Sequence, residues 1–170
     1  MAAGDVKLVY GTPADITITL ASLATDANKL TGRESTALDN SSALVMDYLV
    51  SGKVTVGTTP TTAKSIEVWA VGSWDGTLWP DVFDGTDSAE TITSAEIKSS
   101  ICKLVASMAT VATSDRVYPF GPISLASVFG GTLPPKVSFF VTHDTVANLN
   151  STGSNHQIRV QPVYYNAATA

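Results

Sequence analysis

The segment Asp15-Ile-Thr-Ile-Thr-Leu-Ala-Ser-Leu23 sets apolar and hydroxyl side chains in strict alternation, and the same beat returns over residues 65–71, 137–142 and 157–165. Successive side chains point to opposite faces only in an extended chain, so a period of two buries one face of a β-strand. The spacing predicts a strand over residues 15–23 and one at each of the other three segments. Further strands are predicted at residues 7–10, at 43–56 with a break near Ser51-Gly52, at 102–109 and at 117–125. Pro162 cannot donate to a ladder, which places that end of the last segment at a sheet edge or bulge.

Glycine, proline, asparagine, aspartate and serine clusters separate these runs, and no long helical period competes with them. The expected class is therefore all-β, an antiparallel two-sheet β-sandwich with one or two short helical turns. Thr93-Ser-Ala-Glu96 has capping-box spacing and predicts one such turn, capped by Thr93. Ser124-Leu-Ala-Ser-Val-Phe-Gly130 predicts another, stopped by Gly130 and Gly131. The expected organisation is an N-terminal arm over 1–14, one sandwich over 15–165 and a tail over 166–170.

Only 15% of the residues are charged, against about 25% in average globular chains, and serine plus threonine fill roughly a quarter of all positions. The net charge is -5 and lysine and arginine form no cluster, so neither a nucleic-acid partner nor a membrane surface is expected. No run of eighteen apolar residues is present, and Met1-Ala-Ala-Gly-Asp5 carries neither part of a signal peptide. The expectation is synthesis in a host cytoplasm. With a single cysteine, Cys102, no intrachain disulfide forms.

Catalytic patterns are thin. His143 and His156 are the only imidazoles, and no nucleophile elbow, metalloprotease helix or phosphate loop occurs. His143 precedes Asp144 after a predicted strand and reads as a solvated turn residue. The chain is expected not to be an enzyme and to take no cofactor.

Gly72 to Asp87 holds two tryptophans and four aspartates in sixteen residues. Asp81, Asp84 and Asp87 offer hard oxygens, but not at the spacing of a calcium loop, so no metal is expected. Asp75-Gly76 predicts a tight turn after the strand ending at Val71. Trp74, Asp75, Trp79 and Asp81 are candidate contacts to a partner protein or a glycan, with the protein contact favoured because tryptophan anchors interfaces. Arg33 and Glu34 join the candidates; as neighbours in an extended segment they point apart and pair elsewhere, including across a subunit boundary.

Several segments together resemble small virion structural proteins of tailed bacteriophages: Ile16-Thr-Ile-Thr-Leu-Ala-Ser-Leu23, Thr31-Gly-Arg-Glu-Ser-Thr-Ala-Leu-Asp-Asn40, Val68-Trp-Ala-Val-Gly-Ser-Trp-Asp-Gly76, Leu125-Ala-Ser-Val-Phe-Gly-Gly-Thr-Leu-Pro-Pro-Lys136 and Ser151-Thr-Gly-Ser-Asn-His-Gln-Ile158. The likeness covers about residues 15 to 165. It implies a jelly-roll-like sandwich on the outer capsid surface, decorating or cementing the shell by bridging capsomers. The partners it implies are the major capsid protein and further copies of the chain, as a homotrimer or, failing that, a dimer. The alternative is a head-fibre or tail-associated module that binds host glycans. The arm over 1–14 is expected to contact the shell or a sister copy.

Overall fold

A computed structural model describes residues 6–167. Eleven strands follow in chain order. They are β1 (Val6–Tyr10), β2 (Ala14–Ile16), β3 (Thr31–Glu34), β4 (Leu38–Asp39), β5 (Asp47–Thr55) and β6 (Lys64–Gly72). After these come β7 (Ala89–Thr91), β8 (Cys102–Thr110), β9 (Val117–Ser124), β10 (Lys136–His143) and β11 (Gln157–Ala167). Two short helices interrupt them, α1 (Ala95–Ile101) and α2 (Leu125–Val128), with one 3-10 turn at Gly153–Asn155.

One sheet has the order β1-β11-β5-β9, with β2 also on β11; the other has β7-β3-β10-β6-β8, with β4 on β10. Every pairing is antiparallel. The long strands pair from the outside in: β1 with β11, β3 with β10, β5 with β9, β6 with β8. A chain folded as one long nested hairpin and rolled over itself into two sheets is a jelly roll. The expected all-β sandwich is therefore what the chain forms.

The period of two explains the core. Tyr48, Val50, Val54, Ile158 and Val160 of the first sheet meet Ile66, Val68, Ala70, Val137, Phe139 and Val141 of the second. β10 is buried on both faces, because its other face carries Phe140 into a second cluster with Val71, Phe83, Ile92 and Cys102. The residues between β6 and β8 supply that cover. The Trp/Asp stretch is thus the lid of the second sheet's outer face as well as a loop.

Several expectations are corrected. Of residues 15–23 only Asp15 and Ile16 are in a strand, β2. Ile16 pairs with Ile158 in the first sheet, yet the Thr17 carbonyl accepts from Thr36 N (2.9 Å) and Thr19 N donates to Asp87 (3.0 Å) on the second. The segment crosses between sheets, so its alternation sets burial, ending in the buried Leu20, without a continuous ladder. β5 begins at Asp47, not 43, because Asn40 bonds both backbone groups of Val45 (2.9 and 3.2 Å) and holds a turn. The break foreseen near Ser51-Gly52 is a register shift between Val50 and Gly52 within one strand.

Pro162 lies on β11 between β5 and β1, not on an outer strand. Gly11 N donates to Pro162 O (2.8 Å), so the proline nitrogen faces Gly11, in the gap between β1 and β2. The Gly11 carbonyl, denied that donor, takes Gln161 Nε2 instead (3.1 Å). The first helix is capped by Ser94 and not Thr93, because Asp81 binds both Thr93 N (3.0 Å) and Thr93 Oγ1 (2.6 Å). The second is capped by Ser124 and ends at Gly130 (φ +81), as expected. Residues 6–7 of the arm pair with 167–166 of the tail and residues 8–10 with 165–163 of the sandwich; residues 1–5 and 168–170 lie outside the described residues.

Candidate functional site

The chain leaves β6 at Gly72, where a Cβ would stand 2.6 Å from Pro134. Asp75 Oδ1 then accepts from Thr77 N (2.8 Å), Thr77 Oγ1 (2.7 Å) and Leu78 N (2.7 Å), an Asx-type turn completed by Gly76 at φ +90. These donors, the Leu78 amide foremost, hold the Asp75 carboxyl below its ordinary pKa. Ser73 Oγ accepts from Gly76 N (2.9 Å) and donates to Leu78 O (2.8 Å), while Trp74 N donates to the same carbonyl (3.0 Å). No bond in this turn uses the indole. Trp74 is 72% exposed and Leu78 60%, both on a fixed loop.

Trp79 has a different role. It is half-buried against the second cluster, and a Cβ on Gly85 (φ +77) would press to 2.8 Å from its ring. The aspartates are occupied by internal donors. Asp81 holds Thr93, Asp84 Oδ1 accepts from Thr86 N (2.9 Å), and Asp87 accepts from Thr19 N and Thr19 Oγ1. Among the described residues no group of three His, Cys, Asp or Glu is placed to hold a metal ion.

Arg33 and Glu34 point apart, as expected, yet both serve the same turn of their own chain. Arg33 Nε donates to Asp87 Oδ1 (2.6 Å) and its Nη2 to Asp87 O (2.7 Å). Burial works to raise the Asp87 pKa, but the bonds from Arg33 and Thr19 outweigh it and the carboxyl stays below its usual range. The Glu34 carboxyl, fully buried, accepts from Asp84 N (3.2 Å) and Gly85 N (2.9 Å), and burial pushes its pKa up. Neither side chain waits for a neighbouring subunit.

A cleft of about 380 Å³ opens beside Trp74, walled by Pro80, Phe129, Pro134 and Pro135, with Lys103 its one charged residue. A sugar site needs polar groups aimed at hydroxyls beside the aromatic face. This wall is mainly prolines and a phenyl ring, with Ser73, Ser100 and Lys103 as its polar side chains. Two more clefts, which share Met46 and Gly131, also draw on residues 129–135: one includes Leu44 and Leu133, the other Leu8 and Tyr10. Five exposed apolar side chains, Leu8, Tyr10, Leu44, Met46 and Trp74, line these three clefts, while Leu104, Val111, Val117 and Val146 are exposed elsewhere. The roomier cleft, about 410 Å³, lies at the opposite end among Gly57, Asp115, Asn148 and Asn150, where Asn150 Nδ2 donates to Asp115 (2.7 Å).

The alternating pattern gave no warning of an ion network on the outer face of β6. Glu67 binds Lys29 (2.9 Å) and Lys98 (3.1 Å) and accepts from Trp69 Nε1 (2.9 Å), with Lys98 4.5 Å above the Trp69 ring. Burial works to raise the Glu67 pKa, but its bonded partners outweigh it and keep the carboxyl ionised. The network pins α1 to the sheet.

His143 is fully buried, not solvated. Its Nε2 donates to the Leu23 carbonyl (3.1 Å), and its Nδ1 lies 2.9 Å from the Thr145 hydroxyl, which also reaches Ala147 O (2.9 Å). His156 is buried likewise, donating from Nε2 to Asn150 O (2.8 Å). Burial lowers both pKa values below 6.5, with Asp144 partly opposing this at His143 and Lys53 adding to it at His156. The unfolded chain then binds protons that the folded chain refuses. Stability falls as pH drops through 6.5 toward the depressed folded values, while Glu34, shifted the other way, offsets part of the loss at lower pH. The urea midpoint is expected to be lower at pH 5 than at pH 7, and His143→Gln to shrink that difference; a pH-independent midpoint would refute the assignment.

No family model and no curated protein matches the chain.

Proposed function

We propose that the chain is a non-enzymatic virion structural protein of a tailed phage, a capsid decoration or cement protein that binds the outer shell and bridges capsomers. One observation carries the reading: five exposed apolar side chains, Leu8, Tyr10, Leu44, Met46 and the Trp74 of a fixed loop, line three clefts that draw on residues 129–135, on a chain of otherwise low charge. Exposed apolar surface grouped in clefts of this kind supports a docking role. The resemblance of five segments to such proteins supports it. So does the state of the imidazoles, buried with both ring nitrogens engaged and thus unavailable as general bases.

In this reading Trp74 and Leu78 seat on the major capsid protein, and many copies per particle make each modest contact sufficient. Self-association accompanies it, in threes by the resemblance or in twos. No helix of the described residues is long and apolar enough to cross a membrane. Particles stripped of the protein are expected to rupture at lower temperature and under milder osmotic shock than decorated ones. Equal rupture thresholds would remove the cementing role.

The second reading, a glycan-binding module on a head fibre or tail, rests on the exposed Trp74 ring beside its cleft. It requires glycan-array binding that disappears in Trp74→Ala.

A further inference from the structure

We infer that the outward face of the first sheet around Tyr10 and Met46 is where a second copy of this chain docks, in a two-fold pair. The inference deepens the self-association in the reading above, but it is measured without particles.

The register carries the first step. β5 pairs with β11 only as far as Asp47 with Val163, whereas β1 continues along β11 to Val6 with Ala167. Past Val163 the sheet is a two-stranded ribbon, an arrangement marginal in water without something packed on it. Val6, Leu8 and Tyr10 stand opposite Ala167, Tyr165 and Val163, and directly opposed residues share a face. That face is not the core face, since Ile158 and Val160 lie on the other parity of β11. The ribbon therefore presents an apolar ridge to the outside.

Beside the ridge runs a groove made of two adjoining clefts of about 360 and 310 Å³, which share Met46 and Gly131 and reach Leu44 and Leu133. Among the residues that line it only Asp47 is charged, and Asp47 Oδ1 is taken up by Ala126 N (2.7 Å) and Tyr48 N (2.8 Å). Depletion of charge with aromatic and methionine enrichment marks the centre of a protein interface.

The area matches what a second copy needs. Val6, Leu8, Tyr10, Leu44, Met46 and Tyr165 are each 47–76% exposed and together present roughly 700 Å² per chain. Two such faces against each other hide about 1,400 Å², inside the span of stable interfaces. A ridge cannot fill the groove beside it on the same chain, but a two-fold axis sets each ridge in the other copy's groove.

The test is the mass of the full chain by sedimentation equilibrium at tens of micromolar, for the wild type, Tyr10→Glu, Met46→Glu and a control, Val111→Glu, at the opposite end. Both side chains under test are exposed, and circular dichroism confirms that each variant is folded. The expected result is a two-chain mass for the wild type and control and a single-chain mass for Tyr10→Glu and Met46→Glu. A wild-type monomer, a wild-type trimer, or a dimer that survives both substitutions overturns the inference. A monomeric wild type whose Tyr10→Glu variant leaves the shell would assign the face to the capsid protein instead. Should the pair form while stripped particles stay robust, the cement reading fails and this one stands.

Discussion

Phe140→Ala is expected to destabilise the chain by about 3–5 kcal/mol, the cost of emptying a fully packed aromatic site. The ring is fully buried, and it meets Phe83 edge-on with centroids 5.6 Å apart. Around it lie Val71, Ile92 and Cys102, with Trp79 and Val82 closing the sides. This cluster is on the outer side of the second sheet, away from the Phe139 and Val141 layer between the sheets. The cavity would therefore open under the Trp/Asp stretch while the inner core stays filled. Urea unfolding followed by far-ultraviolet circular dichroism gives the cost, and tryptophan emission at low denaturant reports whether the stretch loosens first. A loss below about 1 kcal/mol would mean that the stretch is not packed on the sheet.

That cluster also shows where sequence patterning stops. Alternation identifies Phe139 and Val141 as facing the core, and by the same logic assigns Phe140 to solvent. Its burial depends on a chain segment some sixty residues earlier folding back across the sheet, which no local period encodes. Residues 15–23 show the converse. Their alternation correctly anticipates that Ile16, Ile18 and Leu20 turn inward, but hydrogen bonding follows the crossing between sheets, so most of that run has no ladder partner. Pro162 was legible as a missing donor; that Gln161 would supply the substitute was a matter of tertiary placement.

The candidate site was legible to the same degree. Asp75-Gly76 forms its turn for the local reason a sequence displays, and Trp74 stands exposed at that turn. Asp81, Arg33 and Glu34 are internal braces, because each bonds a backbone group that only the folded chain brings near. Tyr10 lies in the arm expected to contact the shell or a sister copy, but Leu44 and Met46, apolar residues of a separate turn, carry no such signal in the sequence. Topology brings them together because β11 pairs with β1 on one side and with β5, which follows the Leu44–Met46 turn, on the other.

Trp74→Ala separates the two functional readings with the largest functional effect. The turn is held by Ser73, Asp75 and backbone groups, and the indole is mostly in water, so folding stability should change by no more than about 0.5 kcal/mol. Binding should change far more. A large aromatic on a pre-ordered loop loses little entropy on docking, and truncating such an anchor costs about 2 kcal/mol or more, roughly 30-fold in affinity at each contact. Avidity on the shell softens the effect at saturation and exposes it at limiting protein.

The direct measurement is therefore imaging of intact particles incubated with limiting wild-type or Trp74→Ala protein, counting copies per shell and reading their orientation. The account predicts wild-type protein on the outer capsid surface with the Trp74 end against the capsid lattice, and a several-fold lower occupancy for the variant. Undiminished occupancy of the variant, with the Trp74 end directed into solvent, would contradict it.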